Sequence, residues 1–544
     1  MTRTTAFTAI LLAAAIGLIT HALVGYDPFP QGDDFAYAPL ADFKANPALF
    51  PGDDQLRMFA NHARAYEWVY WLGQAGPGVE PLFRIIVWVL AIAVSVALLI
   101  ILTLLGAPIA ALPVVLGLGV VVTLDGLGRG DYGGLISPFF HHHNIALALI
   151  LGAAAAALSR RNGLAGVLLG IAAYAQPMTA IHGALIVGLG TLLTQPRETI
   201  RMALAALFVA APAVWLVLSG LLATPPTPTG LDVIRDAYRF RAPHHYDPSL
   251  GALVFTTLYL LAGWVGAALL TRADAPVGRY ATGMMIAFTA LHLVSIVTYK
   301  LGIGEITPLF ILDANRSSPL LFVLGPALAI AGIWRAGFGP ASGIALILLA
   351  AIAYLNGTAE GYALIAAGAV LLALSRFDWG LKAGASAALL SLILVFPVTP
   401  NPSPVPAATR TVLEQIRAET PEDALFVIPV GLFAFRHYAQ RSAYVDFKLF
   451  SVAQPDQAAL TRDRINMVVD PKPENLSATG WRAVQLWDAD QREAGDCATM
   501  LRTLQAADAD YYLRALDAGE APPDCDALER TITSSTLALY GLPQ

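Results

Sequence analysis

From residue 6 to residue 398 the chain is a succession of apolar runs separated by short polar connections, and this feature limits its possible folds more than any other. In hydrocarbon every backbone N–H and C=O must be satisfied within the protein, which leaves α-helices for runs of this kind. Measured against the length that a bilayer core demands, the runs give about thirteen spans. They are 6–25, 83–105, 109–124, 144–158, 163–175, 179–194, 201–222, 251–271, 280–298, 318–333, 341–355, 361–374 and 383–398. A content of 56% hydrophobic and only 13% charged residues excludes an ordinary soluble enzyme.

The first run, Phe7 to Val24, follows Met-Thr-Arg and has the look of a signal peptide. It lacks a small-residue cleavage site and leads through an acidic loop into further spans, so it reads as an uncleaved signal anchor. Alternate connections carry Arg160 and Arg161, Arg197 and Arg201, Arg272 and Arg279, Arg335, and Arg376 and Lys382. The positive-inside rule puts these in the cytoplasm together with the N-terminus. The loops 26–82, 125–143, 223–250 and 299–317 then face outward, as does the C-terminal segment 399–544.

That last segment has a different composition. A Pro-rich linker, PVTPNPSPVPAA, precedes alternating helical and strand patterns. LEQIRAE reads as a helix, ALFVIPV as a buried strand, FAFRHYAQ as a helix, SAYVDF as a strand and TLQAADADYYLRA as a helix entering a strand. LERTITSS and LALYGL read as a terminal hairpin. The expected fold is therefore mainly α, a polytopic membrane protein with a transmembrane domain over 1–398 and a small exported α/β domain over 399–544. From Asn401 onward there are 13 Lys and Arg against 20 Asp and Glu, so the acidity of the chain belongs to this domain. An acidic exported domain does not suggest nucleic acid. Both cysteines, Cys497 and Cys525, lie in it. An oxidising compartment allows them to pair, and their spacing is not that of a metal site, but sequence leaves their distance open.

The chemistry concentrates in the first outer loop, where Gly32-Asp33-Asp34 follows the first span and Asp42, Asp53, Asp54 and Glu67 follow among aromatics. Adjacent carboxylates serve as a general base for an acceptor hydroxyl or hold a divalent cation, and in the plainer reading one of them caps a helix. Asp53-Asp54, after Pro51-Gly52, reads as the start of the helix DDQLRMFANHARAYEWVYWLG. The second loop, TLDGLGRGDYGGLISPFFHHHN, offers Asp125, Arg129, Asp131, His141, His142 and His143. Three successive histidines do not converge on one metal, so the alternative to ligation is a cap on the fourth span. Gln176-Pro177 and His182 lie near the outer ends of the fifth and sixth spans, where His182 lines a cavity or satisfies a carbonyl. LDVIRDAYRFRAPHHYDPS supplies Arg235, Arg239, Arg241, His244 and His245, suited to a lipid-linked phosphate or to headgroup anchoring. Arg316 enters an apolar helix alone, placed either to contact a phosphate or to snorkel.

This layout resembles the GT-C superfamily of membrane glycosyltransferases, over most of the chain. The resemblance lies in a first outer loop with paired acids (Asp33, Asp34), interfacial helices before the second span, a further acidic outer loop and an exported C-terminal α/β domain. It implies sugar transfer from a polyprenyl-phosphate-type lipid donor to a glycan, lipid or protein acceptor, with the bilayer itself as a partner. It implies Asp33 or Asp34 as catalytic base and Arg316 on the donor phosphate. The remaining substrate-binding candidates are Asp131, His182, Arg239, His244 and His245. A divalent cation, Mg or Mn, would lie on Asp34, Asp131 and His141. The expected location is a bacterial inner membrane with the C-terminal domain in the periplasm. The segment FRHYAQRSAYVDFK resembles the C-terminal domains of bacterial GT-C-like proteins, and its Arg436, His437, Arg441, Asp446 and Lys448 either face a cavity and read the acceptor or are ordinary surface charges. The alternatives are an inactive GT-C-like binding or assembly protein and a polysaccharide or lipid export component. An exporter would place ionisable groups near the midplane of its spans, where this chain has few.

Overall fold

The computed structural model describes residues 3–58, 64–119, 135–223, 238–241, 243–246, 248–302, 312–337, 339–356, 358–374, 401–450, 455–475, 477–517 and 519–543. Its contacts divide the chain into two compact units. The first comprises Met1–Pro28, Gly76–Ala223 and His244–Asn401, and the second Phe29–Ala75, Thr224–Pro243 and Pro402–Gln544.

The first unit is helical. Among the described residues, Ala6–Val24, Val79–Leu105, Pro196–Trp215, Leu250–Ala273, Ala275–Lys300 and Ala314–Ala336 are long and apolar enough to cross a membrane. His142–Leu158, Asn162–Ala175, Pro177–Leu192, Pro340–Leu355 and Ala359–Leu371 are apolar but shorter, 10–17 residues each. Helix Ala111–Gly119 lies over the expected span 109–124, and the expected span 383–398 lies outside the described residues. Prolines set several of the boundaries: Pro177, Pro196 and Pro340 each open a helix, where the missing N–H costs nothing. The helices Leu250–Ala273 and Ser318–Ala336 approach through glycines. A Cβ on Gly266 would lie 2.4 Å from the Ala329 nitrogen, so only hydrogen allows this backbone approach.

The second unit is built on a five-stranded sheet in the order β2-β1-β3-β5-β4. Its strands are β1 (Leu425–Val427), β2 (Ser442–Ala443), β3 (Tyr511–Ala515), β4 (Glu529–Thr533) and β5 (Leu537–Gly541). β1 runs parallel to β2 and β3, while β5 runs antiparallel to β3 and β4. The expected strand SAYVDF is reduced to two paired residues, because the chain turns away after Ala443. The terminal hairpin forms as expected, its turn closed by Ser534, whose hydroxyl accepts from the Thr536 and Leu537 amides.

The segment Phe29–Ala75 folds into this same unit. Helix Asp34–Ala45 buries Phe35 among Val412, Leu413, Phe426 and Phe435 of the C-terminal segment. Its next turns bury Ala36, Leu40 and Phe43 with Phe50, Leu56 and Leu449. Phe240, from the segment 223–250, is equally enclosed, with ring centroids 5.5 Å from Phe447 and 5.3 Å from Trp487. Cys497 and Cys525 form a disulfide across 5.4 Å between Cα atoms, tying the helix Cys497–Ala507 to the segment before β4.

Candidate active site

Gly32 turns the chain into helix Asp34–Ala45 with φ +43°, a left-handed conformation that favours glycine. The two residues that follow meet different surroundings. Asp33 stands at the N-cap position, yet its side chain makes no capping bond. Its carboxylate, about one-third exposed, instead pairs with the Lys448 ammonium at 2.5 Å. Asp34 is 2% exposed. Its Oδ2 accepts from the Gln31 amide at 2.8 Å and its Oδ1 from the Tyr66 hydroxyl at 2.7 Å. Burial pushes the Asp34 carboxyl up to about 7, against the opposing pull of those two hydrogen bonds.

Lys448 is itself held from two sides. Its Nζ lies 5.1 Å from the centroid of the Trp481 ring, and its carbonyl accepts from Arg241 Nη2 at 3.1 Å. Arg241 in turn lies over Phe447, 5.2 Å from the ring centroid. A cation between a carboxylate and an indole face is stabilised from both directions. Nearby, His437 stands edge-on to Phe29 and Phe35 and is pushed down to about 4 by burial, so it is neutral at physiological pH.

The second pair of acids has a different task. Asp53 caps the helix Asp54–Met58, accepting from the Leu56 amide at 3.1 Å, which agrees with the helix start read from sequence. It also accepts from Arg436 Nε at 2.6 Å and Nη2 at 3.2 Å. Arg436 further donates to Asp446, to Gln55 at 3.0 Å and to the Ala443 carbonyl at 3.2 Å. All of this is fully buried, so Arg436 is neither a cavity group nor a surface charge. Arg441 is also buried, donating to the carbonyls of Arg417 and Thr420. Asp54 pairs with Arg464 at 2.6 Å.

Within the first unit a separate polar cluster forms. His182 Nε2 lies 2.8 Å from the Leu312 carbonyl and His143 Nδ1 lies 2.9 Å from the Thr179 hydroxyl. Arg316 pairs with the buried Asp313, and both charges are felt at His143 and His182. The structure therefore gathers Arg316, His182 and the histidine run from three separate stretches of sequence. His141 caps the helix His142–Leu158, its Nδ1 accepting from the His143 amide at 3.3 Å. Asp125, Arg129, Asp131 and Arg235 lie outside the described residues, as do the side chains of His244 and His245. Arg239 is half-buried.

Of the residues that the GT-C resemblance implies for a divalent cation, Asp131 lies outside the described residues, and Asp34 offers no free oxygen. Mg²⁺ demands six oxygens in near-octahedral array and retains several waters. Asp34 is sealed from solvent with both oxygens accepting hydrogen bonds, and Asp33 already faces an ammonium. Among the described residues no group of three or more His, Cys, Asp or Glu is placed to hold a metal ion. Sequence reasoning singled out Lys448 and Arg241 without placing them beside Asp33, and it passed over Tyr66 and Trp481. Their only signal was an aromatic at helical spacing, which is usually core.

A family model described as Domain of unknown function (DUF6798) matches residues 407–468, the stretch that carries Arg436, Asp446 and Lys448. No curated protein matches. Among solved structures the chain is similar to the arabinofuranosyltransferase AftD from mycobacteria, at 14% identity and a TM-score of 0.48. That similarity covers 98% of this chain and 40% of the AftD chain, so the present protein spans well under half of that length. By its own helices and composition, the chain is a multi-pass membrane protein that carries an α/β unit.

Proposed function

We propose that the protein is a GT-C-type membrane glycosyltransferase. In this reading it moves a sugar from a polyprenyl-phosphate-type lipid donor to an acceptor hydroxyl on the outer face of a bacterial inner membrane. The observation that supports it most is the inequality of the two adjacent acids. Asp33 is about one-third exposed and paired with Lys448, while Asp34 is sealed and shifted toward neutrality. Two carboxyls driven apart by their surroundings are the usual arrangement for acid–base work.

Asp33 takes the proton from the acceptor hydroxyl as its oxygen bonds to the anomeric carbon. The bond from that carbon to the phosphate oxygen breaks, and the lipid phosphate leaves with the electron pair. Asp34 and Tyr66 fix the start of the helix that presents Asp33. The resemblance implies Arg316 as the contact to the donor phosphate, where Arg suits bidentate contact. General-base catalysis contributes about 10²–10⁴-fold, so Asp33→Asn should lower transfer by that factor without loss of membrane-inserted protein. The check is mass analysis of glycolipids and surface glycans in cells lacking the protein, restored with either the natural chain or the variant. Undiminished restoration by Asp33→Asn and by Asp34→Asn would remove the first loop from the reaction.

A further inference from the structure

We propose that Lys448 is the resident cation of the Asp33–Asp34 pair, standing where a divalent ion would otherwise bind, so that this pair takes neither Mg²⁺ nor Mn²⁺. The inference concerns the same acids as the proposed transfer but rests on their geometry alone, and it stands whether or not sugar transfer is the activity.

Three observations carry it. The Lys448 ammonium lies 2.5 Å from Asp33 Oδ1, with the lysine side chain 8% exposed and that of Asp33 35% exposed. The Trp481 ring centroid lies 5.1 Å from Nζ, and Arg241 donates to the main-chain carbonyl of the lysine at 3.1 Å. Asp34 presents its two oxygens to Gln31 and Tyr66 and has no solvent around it from which a metal could keep its waters. A divalent ion at Asp33 would have to displace an ammonium that is pinned in place, or sit beside it against like-charge repulsion. Without the lysine, the one-third-exposed Asp33 carboxylate would be the open side of the pair; with it, that charge is already balanced by the chain itself.

The test uses the purified full-length protein in detergent, with Mn²⁺ as the probe, followed by its free-ion paramagnetic resonance signal. The natural chain and Asp33→Asn should leave the same free Mn²⁺, since any ion bound elsewhere contributes equally to both. Lys448→Gln should gain a bound Mn²⁺, and the double variant Lys448→Gln with Asp33→Asn should lose it again. Lys448→Arg keeps the charge and should behave as the natural chain. Uptake by the natural chain that Asp33→Asn abolishes overturns the proposal, and so does a Lys448→Gln protein that folds yet takes up no more Mn²⁺ than the double variant. If Lys448→Gln does not fold, the comparison of the natural chain with Asp33→Asn still decides whether the pair holds a divalent ion. No step depends on a transfer assay, so failure here and failure of the glycosyltransferase reading are separable.

Discussion

Burial raises the Asp34 carboxyl from an ordinary 3.8 to about 7, and this gives one residue a measurable effect on the whole chain. Between those two values the folded protein binds a proton that the unfolded chain has released. Stability is therefore greatest below pH 4 as far as this group is concerned, and it falls as pH rises toward 7. The slope approaches about 1.4 kcal/mol per pH unit where the two states differ by a full proton. Asp34→Asn should flatten that decline, as read from thermal unfolding of the purified protein between pH 5 and pH 8. A decline of unchanged slope in the variant would assign the proton to another group. At the neighbouring position Asp33 stays about one-third exposed and faces the Lys448 ammonium.

Two junctions between elements set the geometry, each within one unit. In the second unit Arg436 ties the segment 51–56 to β2 and the turn after it, through Asp53, Gln55, Asp446 and the Ala443 carbonyl. Removing one partner of a buried charge network leaves the others uncompensated, at a cost of about 3–5 kcal/mol. Arg436→Ala should accordingly abolish a stable fold in the second unit, with limited proteolysis as the measurement. Asp53→Asn, which keeps the shape and the cap, should lose less. In the first unit the approach of Leu250–Ala273 to Ser318–Ala336 depends on Gly266, whose Cβ would fall 2.4 Å from backbone. Gly266→Val should force those two helices apart and lower the yield of folded protein in the membrane, judged by size-exclusion profile. An unchanged profile would mean that the two helices can separate without loss.

For the molecule as a whole, the second unit is discontinuous in sequence, since Phe29–Ala75 and Pro402–Gln544 share its cores. Residues 402–544 expressed alone should therefore remain unstable, lacking Asp53 and Gln55 for Arg436 and lacking Phe35 in the core; cooperative unfolding of that fragment by circular dichroism would contradict this. The Cys497–Cys525 bridge closes a separation of 28 residues, for which chain entropy gives about 3–4 kcal/mol. Cys497→Ser should lower the unfolding midpoint accordingly, and in intact cells neither thiol of the natural protein should react with a maleimide before reduction. Much of this plan is legible in the sequence. Apolar runs of sufficient length announce the helices, short runs of strand-forming residues announce β1, β3 and the terminal hairpin, and the adjacency of Asp33 and Asp34 marks the first loop, because each of these is a local property of a few consecutive residues. What sequence left undecided was partnership. Whether Cys497 meets Cys525, whether Arg436 is surface or core, and which cation stands beside Asp33 depend on segments distant in the chain, 383 residues in the case of Asp53 and Arg436. Only the tertiary structure settles them, because burial and charge pairing are properties of the place to which a residue is carried and not of the residue's own neighbours along the chain.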